Sequence, residues 1–115
     1  EQVRPRWVVL KPSLLGGFAA CDAWIDLAAA QGCGWWLTSA LESNLGLAHI
    51  AQFAYTRLER PGGVGNAIPQ GLGTGALFTD NYRTPLVLEG EWLRWRSDAK
   101  WDERLTAAQV RCSRE

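Results

Sequence analysis

Methionine is missing from all 115 residues, the first included. A chain that starts at Glu1 without one is expected to be a piece of a longer reading frame. Only three cysteines occur; Cys21, Cys33 and Cys112 are odd in number and show no CxxC spacing. That excludes a disulfide framework or a zinc site as the organising feature, and a reducing cytoplasm fits such usage best. Neither sign of charge is in surplus, with 12 basic and 12 acidic residues, so the composition carries no nucleic-acid footprint. No apolar run approaches the roughly 18 residues of a membrane helix. The first residues, Glu1-Gln-Val-Arg-Pro-Arg6, lack the apolar centre of a signal peptide. Walker, HExxH, GxSxG and EF-hand patterns are all absent. The single histidine, His49, has no partner at metal-ligand spacing and reads as a surface or flank residue.

Tryptophan, by contrast, is abundant, with seven copies. So many large rings suit a bigger interior than 115 residues make, because exposed aromatic patches are a liability. The apolar pattern starts with Trp7-Val-Val-Leu10, a continuous run typical of a strand covered on both faces. Pro12 and Gly16-Gly17 end it. Phe18 to Gln31 then has helical spacing, with Phe18, Cys21, Trp24, Ile25 and Ala28 on the buried stripe and Asp22 and Asp26 on the wet side. Trp35 to Thr38 reads as a second strand. Ser43 is placed to cap a helix running to about Leu58, with Leu47, Ile50, Ala51, Ala54 and Leu58 turned inward. After the Arg60–Gly65 loop, Ala67-Ile-Pro69 is a weak third strand. Leu86 to Trp95 reads as an antiparallel hairpin around Gly90. From Ser97 the tail is charged and aperiodic, with room for a marginal helix between Ala99 and Val110. The order β-α-β-α-β followed by a hairpin implies an α/β fold with parallel strands.

Chemistry in such folds gathers where strands exit. Lys11 ends the first strand. There it can carry a proton, serve as a fixed cation for an anionic intermediate, or simply snorkel to water. Ser39, Glu42 and Ser43 follow the second strand. Glu42 can meet substrate or a cation, or sit favourably at a helix start that Ser43 caps. Gly71-Leu-Gly-Thr-Gly-Ala76 formally fits G-x-G-x-x-G/A, with Glu91 twenty residues on. A dinucleotide site also needs a long helix directly after the glycines, and Thr79 to Pro85 leaves no room for one. Gly71 and Gly73 fit better as places where backbone approaches a ligand or closes a turn.

Three motifs in order, Leu10-Lys-Pro-Ser-Leu-Leu-Gly-Gly17, Gly34 to Gln52 and Pro69-Gln-Gly-Leu-Gly-Thr-Gly75, together resemble a known family. They are similar to the last third of the catalytic barrel of the o-succinylbenzoate synthases, a muconate-cycloisomerase-like branch of the enolase superfamily. The resemblance spans roughly residues 7 to 93. It implies a partial (β/α) barrel: residues 1–85 would supply strands six to eight with their helices, 86–96 a hairpin of the capping domain, and 97–115 a charged tail. It also implies a Mg²⁺-dependent lyase of menaquinone biosynthesis that dehydrates a cyclohexadiene carboxylate through an enediolate. On that resemblance Lys11 is the strand-six lysine that stabilises the enolate. Ser39, Glu42, Ser43, Gly71 and Gly73 lie in the segments that bind the small carboxylate substrate.

The proton-abstracting lysine and the three metal carboxylates of the family have no counterpart in this sequence. The chain is therefore expected to hold no Mg²⁺ tightly, to be inactive alone, and to need the N-terminal part of the same enzyme as its partner. Open sheet edges would favour self-association. A sister activity, N-acylamino acid racemisation or dipeptide epimerisation, would use the same lysine as a base, although Leu-Lys-Pro-Ser and Trp35-Trp36 lean towards the synthase. From a different class, the chain could be a non-catalytic remnant that oligomerises. No nucleic acid or membrane is implied as a partner.

Overall fold

The computed structural model describes residues 3–59 and 68–105. Its first half alternates strands and helices: β1 (Trp7–Leu10), α1 (Pro12–Leu15), α2 (Phe18–Ala30), β2 (Gly34–Leu37) and α3 (Asn44–Leu58). A hairpin follows, β3 (Leu86–Glu89) and β4 (Trp92–Trp95). The α/β class expected from the sequence is what the structure has.

Strands β1 and β2 pair in parallel, Trp7 opposite Gly34 and Leu10 opposite Leu37. Because strand side chains alternate in direction, one face of this pair carries Leu10, Trp35 and Leu37. That face forms the core with Cys21, Ile25 and Ala28 of α2 and Leu47, Ile50, Phe53 and Ala54 of α3. Trp7 and Val9, alternating with these, stay exposed. The alanine-rich sequence of α2 favours a helix on propensity alone. Ser43 caps α3 by accepting the N–H of Gly46 at 3.4 Å.

Several expectations are corrected. Trp24 does not join the buried stripe of α2; the residue is 45% exposed. Asp22 is not simply wet, since Arg57 of α3 grips its carboxylate, with Nη2 2.6 Å from Oδ2, and lies over the Phe53 ring. The third strand shrinks to one parallel bridge between Thr38 and Gly71, and Ile68 and Pro69 lie outside any strand. Pro69 has no N–H to give a ladder, which limits pairing there. Between β1 and α2 the structure inserts the helical turn α1, which Pro12 opens at a position proline favours. Ala67, the Arg60–Gly65 loop and the last five residues of the Ala99–Val110 stretch lie outside the described residues; a helical turn is present from Glu103 to Leu105.

The hairpin has a two-residue turn, Gly90-Glu91, with Gly90 at φ 62°. The preferred two-residue hairpin turns require positive φ at that first position, which glycine meets without strain.

Candidate functional site

Lys11 sits where β1 stops. Its carbonyl accepts the N–H groups of Leu14 and Leu15 and so starts α1. The Leu10 carbonyl takes the N–H of Thr38 at 3.0 Å, which brings the two strand exits side by side. The half-buried Lys11 side chain then crosses to the neighbouring exit, and Nζ donates to the Ser39 carbonyl at 2.8 Å.

Ser39 is buried, and its hydroxyl pairs with that of Thr74 at 2.6 Å. The same oxygen lies 3.4 Å from the N–H of Leu41, which has φ 65°. Glu42 closes the loop: Oε1 accepts the Ser13 hydroxyl, and Oε2 accepts the Ala40 N–H at 2.8 Å. Burial pushes the Glu42 carboxyl up, but the Ser13 hydroxyl, two backbone N–H groups and the charge of Lys11 outweigh it, so the net shift is downward.

Gly71 joins this cluster through the backbone. Its N–H donates to the Leu37 carbonyl at 2.8 Å, and its carbonyl accepts from Ser39 N–H at 3.1 Å. A side chain at 71 would collide with Thr38, since a Cβ there would lie 2.8 Å from the threonine Cβ. At Gly73 a Cβ would meet nothing within 4 Å, so no neighbour in this chain demands glycine there. Ser43 is exposed and engaged as the α3 cap.

The structure therefore brings Lys11, Ser39, Glu42 and Gly71 to one end of the parallel strands. Sequence reasoning missed Ser13, Thr74 and Gln70, whose side-chain carbonyl takes the N–H of Leu37 at 2.8 Å. Each lies inside a quoted motif, but none has a spacing that marks it as polar glue.

A groove of about 210 Å³ adjoins the cluster, lined among others by Pro12, Ser13, Phe18, Glu42, His49 and Ile50. It is smaller than the roughly 300 Å³ at which ordinary ligand pockets begin. Neither Lys11 nor Ser39 lines it. Among the described residues no three of His, Cys, Asp and Glu converge to hold a metal, and no helix is long and apolar enough to cross a membrane.

Adjacent parallel strands that deliver a lysine and a serine at their carboxyl ends, each followed by a helix, define an α/β unit with its polar groups at the strand exits. Comparison with known proteins makes this more specific, although no family model matches. The o-succinylbenzoate synthase of Desulfotalea psychrophila is 52% identical over 90 residues, 78% of this chain and 23% of that protein. That of Vibrio cholerae serotype O1 is 32% identical over 100 residues, 80% of this chain and 28% of the relative. The crystal structure of MenC from Desulfotalea psychrophila superposes with a TM-score of 0.65 at 52% identity, covering 77% of this chain and 23% of MenC. Over that shared stretch the chain is homologous to the o-succinylbenzoate synthases, as its three motifs led us to expect. It spans about a quarter of the length of the curated relatives it matches.

Proposed function

We propose that this chain supplies the last strands of an o-succinylbenzoate synthase barrel, and with them the lysine that stabilises the enolate formed during dehydration of a cyclohexadiene carboxylate. The observation that carries this reading is the 2.8 Å bond from Lys11 Nζ to the Ser39 carbonyl across two adjacent strand exits. A cation tethered in place needs no reorganisation when negative charge develops beside it, which is how preorganised groups lower a barrier. A side chain held by a backbone acceptor also suits a fixed charge better than a base that must swing to a proton. Ser39, its partner Thr74 and the Gly71–Gly73 segment form the wall beside that charge, where a small carboxylate substrate would lie. The hairpin belongs, in this reading, to the capping domain.

Magnesium, implied by the resemblance, does not fit the residues present: Glu42 is engaged with Ser13 and Ala40, and no cluster of ligands forms among the described residues. No step in this chain runs through a metal. The metal ligands and the base that removes the α-proton are assigned to the rest of the enzyme, the partner this segment needs.

The test is reconstitution. The 115-residue chain is mixed with a separate polypeptide comprising the part of the Desulfotalea psychrophila synthase that it does not match, and dehydration is followed. The chain alone is expected to be inactive and the mixture active. Lys11→Ala in the mixture should lower turnover by about 10²- to 10³-fold, the usual cost of losing one preorganised electrostatic group. Equal turnover with Lys11→Ala, or turnover by the chain alone, would sink the reading. A folded, self-associated chain that never yields turnover in the mixture would favour the non-catalytic alternative.

A further inference from the structure

Glu42 holds two segments at once. One carboxylate oxygen binds the hydroxyl of Ser13 in α1, after β1; the other binds the N–H of Ala40, after β2. Between Ala40 and Glu42, Leu41 has φ 65°. A left-handed conformation of that kind is unfavourable for a leucine, whose Cβ crowds the following carbonyl, and persists only where the surroundings impose it. The constraints lie on both sides of Leu41: Glu42 grips Ala40 N–H, and the Ser39 hydroxyl, anchored by Thr74, faces Leu41 N–H. What this loop presents to β1 is the Ser39 carbonyl, the acceptor of Lys11 Nζ. Space for the arrangement comes from Gly46, where a Cβ would press to 3.0 Å from that of Glu42.

We propose that Glu42 is a positioning residue for Lys11, tying α1 to the β2–α3 loop so that the Ser39 carbonyl stays over the end of β1. For its catalytic meaning this role rests on the function proposed above; its geometry does not.

Lys11 and Lys100 are the two lysines of the sequence, and Lys100 is exposed. Acetylation of the whole 115-residue chain with limiting N-hydroxysuccinimidyl acetate, read by peptide mass spectrometry, thus reports Lys11 Nζ against an internal reference. Glu42→Ala is expected to raise the Lys11-to-Lys100 labelling ratio about fivefold, the worth of one ordinary net hydrogen bond. Glu42→Gln keeps an acceptor for Ala40 and a group facing the Ser13 hydroxyl, so its ratio should stay within about twofold of wild type. Should Glu42→Ala not fold, Ser13→Ala loosens the same tie from its other end and is expected to raise the ratio in the same direction. An unchanged ratio in every folded variant overturns the proposal, as does an equal rise in Glu42→Gln and Glu42→Ala. In the reconstituted enzyme, Glu42→Ala should lower kcat about tenfold with KM little changed, the mark of an interaction that matters in the transition state. If the wild-type mixture shows no turnover, the function proposed above has failed, while the labelling ratio still decides the role of Glu42.

Discussion

The two halves of this molecule are held together by different physics. From Trp7 to Leu58 the strands and helices share a dry core, Leu10, Trp35 and Leu37 against α2 and α3. From Ile68 to Leu105 only Leu72 is part of that core, with Leu86 and Leu93 packed at its margin. There the ties are polar and aromatic. Asn44, at the start of α3, bonds both the carbonyl and the N–H of Tyr82. Trp101 meets both Trp95 and His49 edge on or tilted. Arg104 lies over the Tyr82 ring and grips Asp102, whose carboxyl it holds well below the usual range. The first half is thus stabilised mainly by apolar burial, which salt does not screen, and the second by contacts that water and ions compete for.

Mutations in the two halves should therefore differ in size. Leu37 is fully buried, and Leu37→Ala is expected to destabilise the chain by about 3 kcal/mol, since deleting buried methyl groups loses both transfer energy and packing. Urea unfolding measures it; a change below about 1 kcal/mol would mean that the core of the first half is looser than its packing indicates. An intermediate effect belongs to Glu42, which joins α1 to the β2–α3 loop. Its folded pKa lies below the ordinary value of 4.5. Its contribution is therefore complete above about pH 4.5 and is lost as pH falls through the lower folded value. Thermal midpoints between pH 6 and 3 should fall less steeply for Glu42→Gln than for wild type, and parallel curves would contradict this. The smallest effect is expected in the hairpin. Glu89 pairs with Arg94 at 3.1 Å and with Arg96, all on the surface. Glu89→Gln should leave the midpoint unchanged within error, because exposed ion pairs give back in desolvation and side-chain entropy most of what they gain. A clear drop would show that charge holds the second half more firmly than this comparison supposes.

The same difference explains what could be read in advance. Helix α2 and helix α3 were legible because apolar residues recur at helical spacing between recognisable stops and caps, and the hairpin because Gly90 divides two short strand-like runs. Lys11 was legible because it ends a strand. Trp24 and Phe18 were misjudged: periodicity says which face a residue occupies, but not how far the partner layer extends to cover it. Phe18, 40% exposed, instead stacks on Phe53 at 4.6 Å. Ser13, Thr74 and Gln70 stayed hidden because their partners are 29, 35 and 33 residues away, and no local pattern encodes a contact at that range. The inserted turn α1 was missed because four residues are too few for a period.

Gln70 has one more consequence. Its side chain, not its backbone, occupies the N–H of Leu37, and Gly71 takes the neighbouring carbonyl. The carboxyl end of β2 is in effect stoppered by a borrowed amide, as a sheet finished with trim rather than with another strand. Among the described residues no strand covers the outer edge of β1. An incoming strand at this height has a landing place on one flank and a closed door on the other.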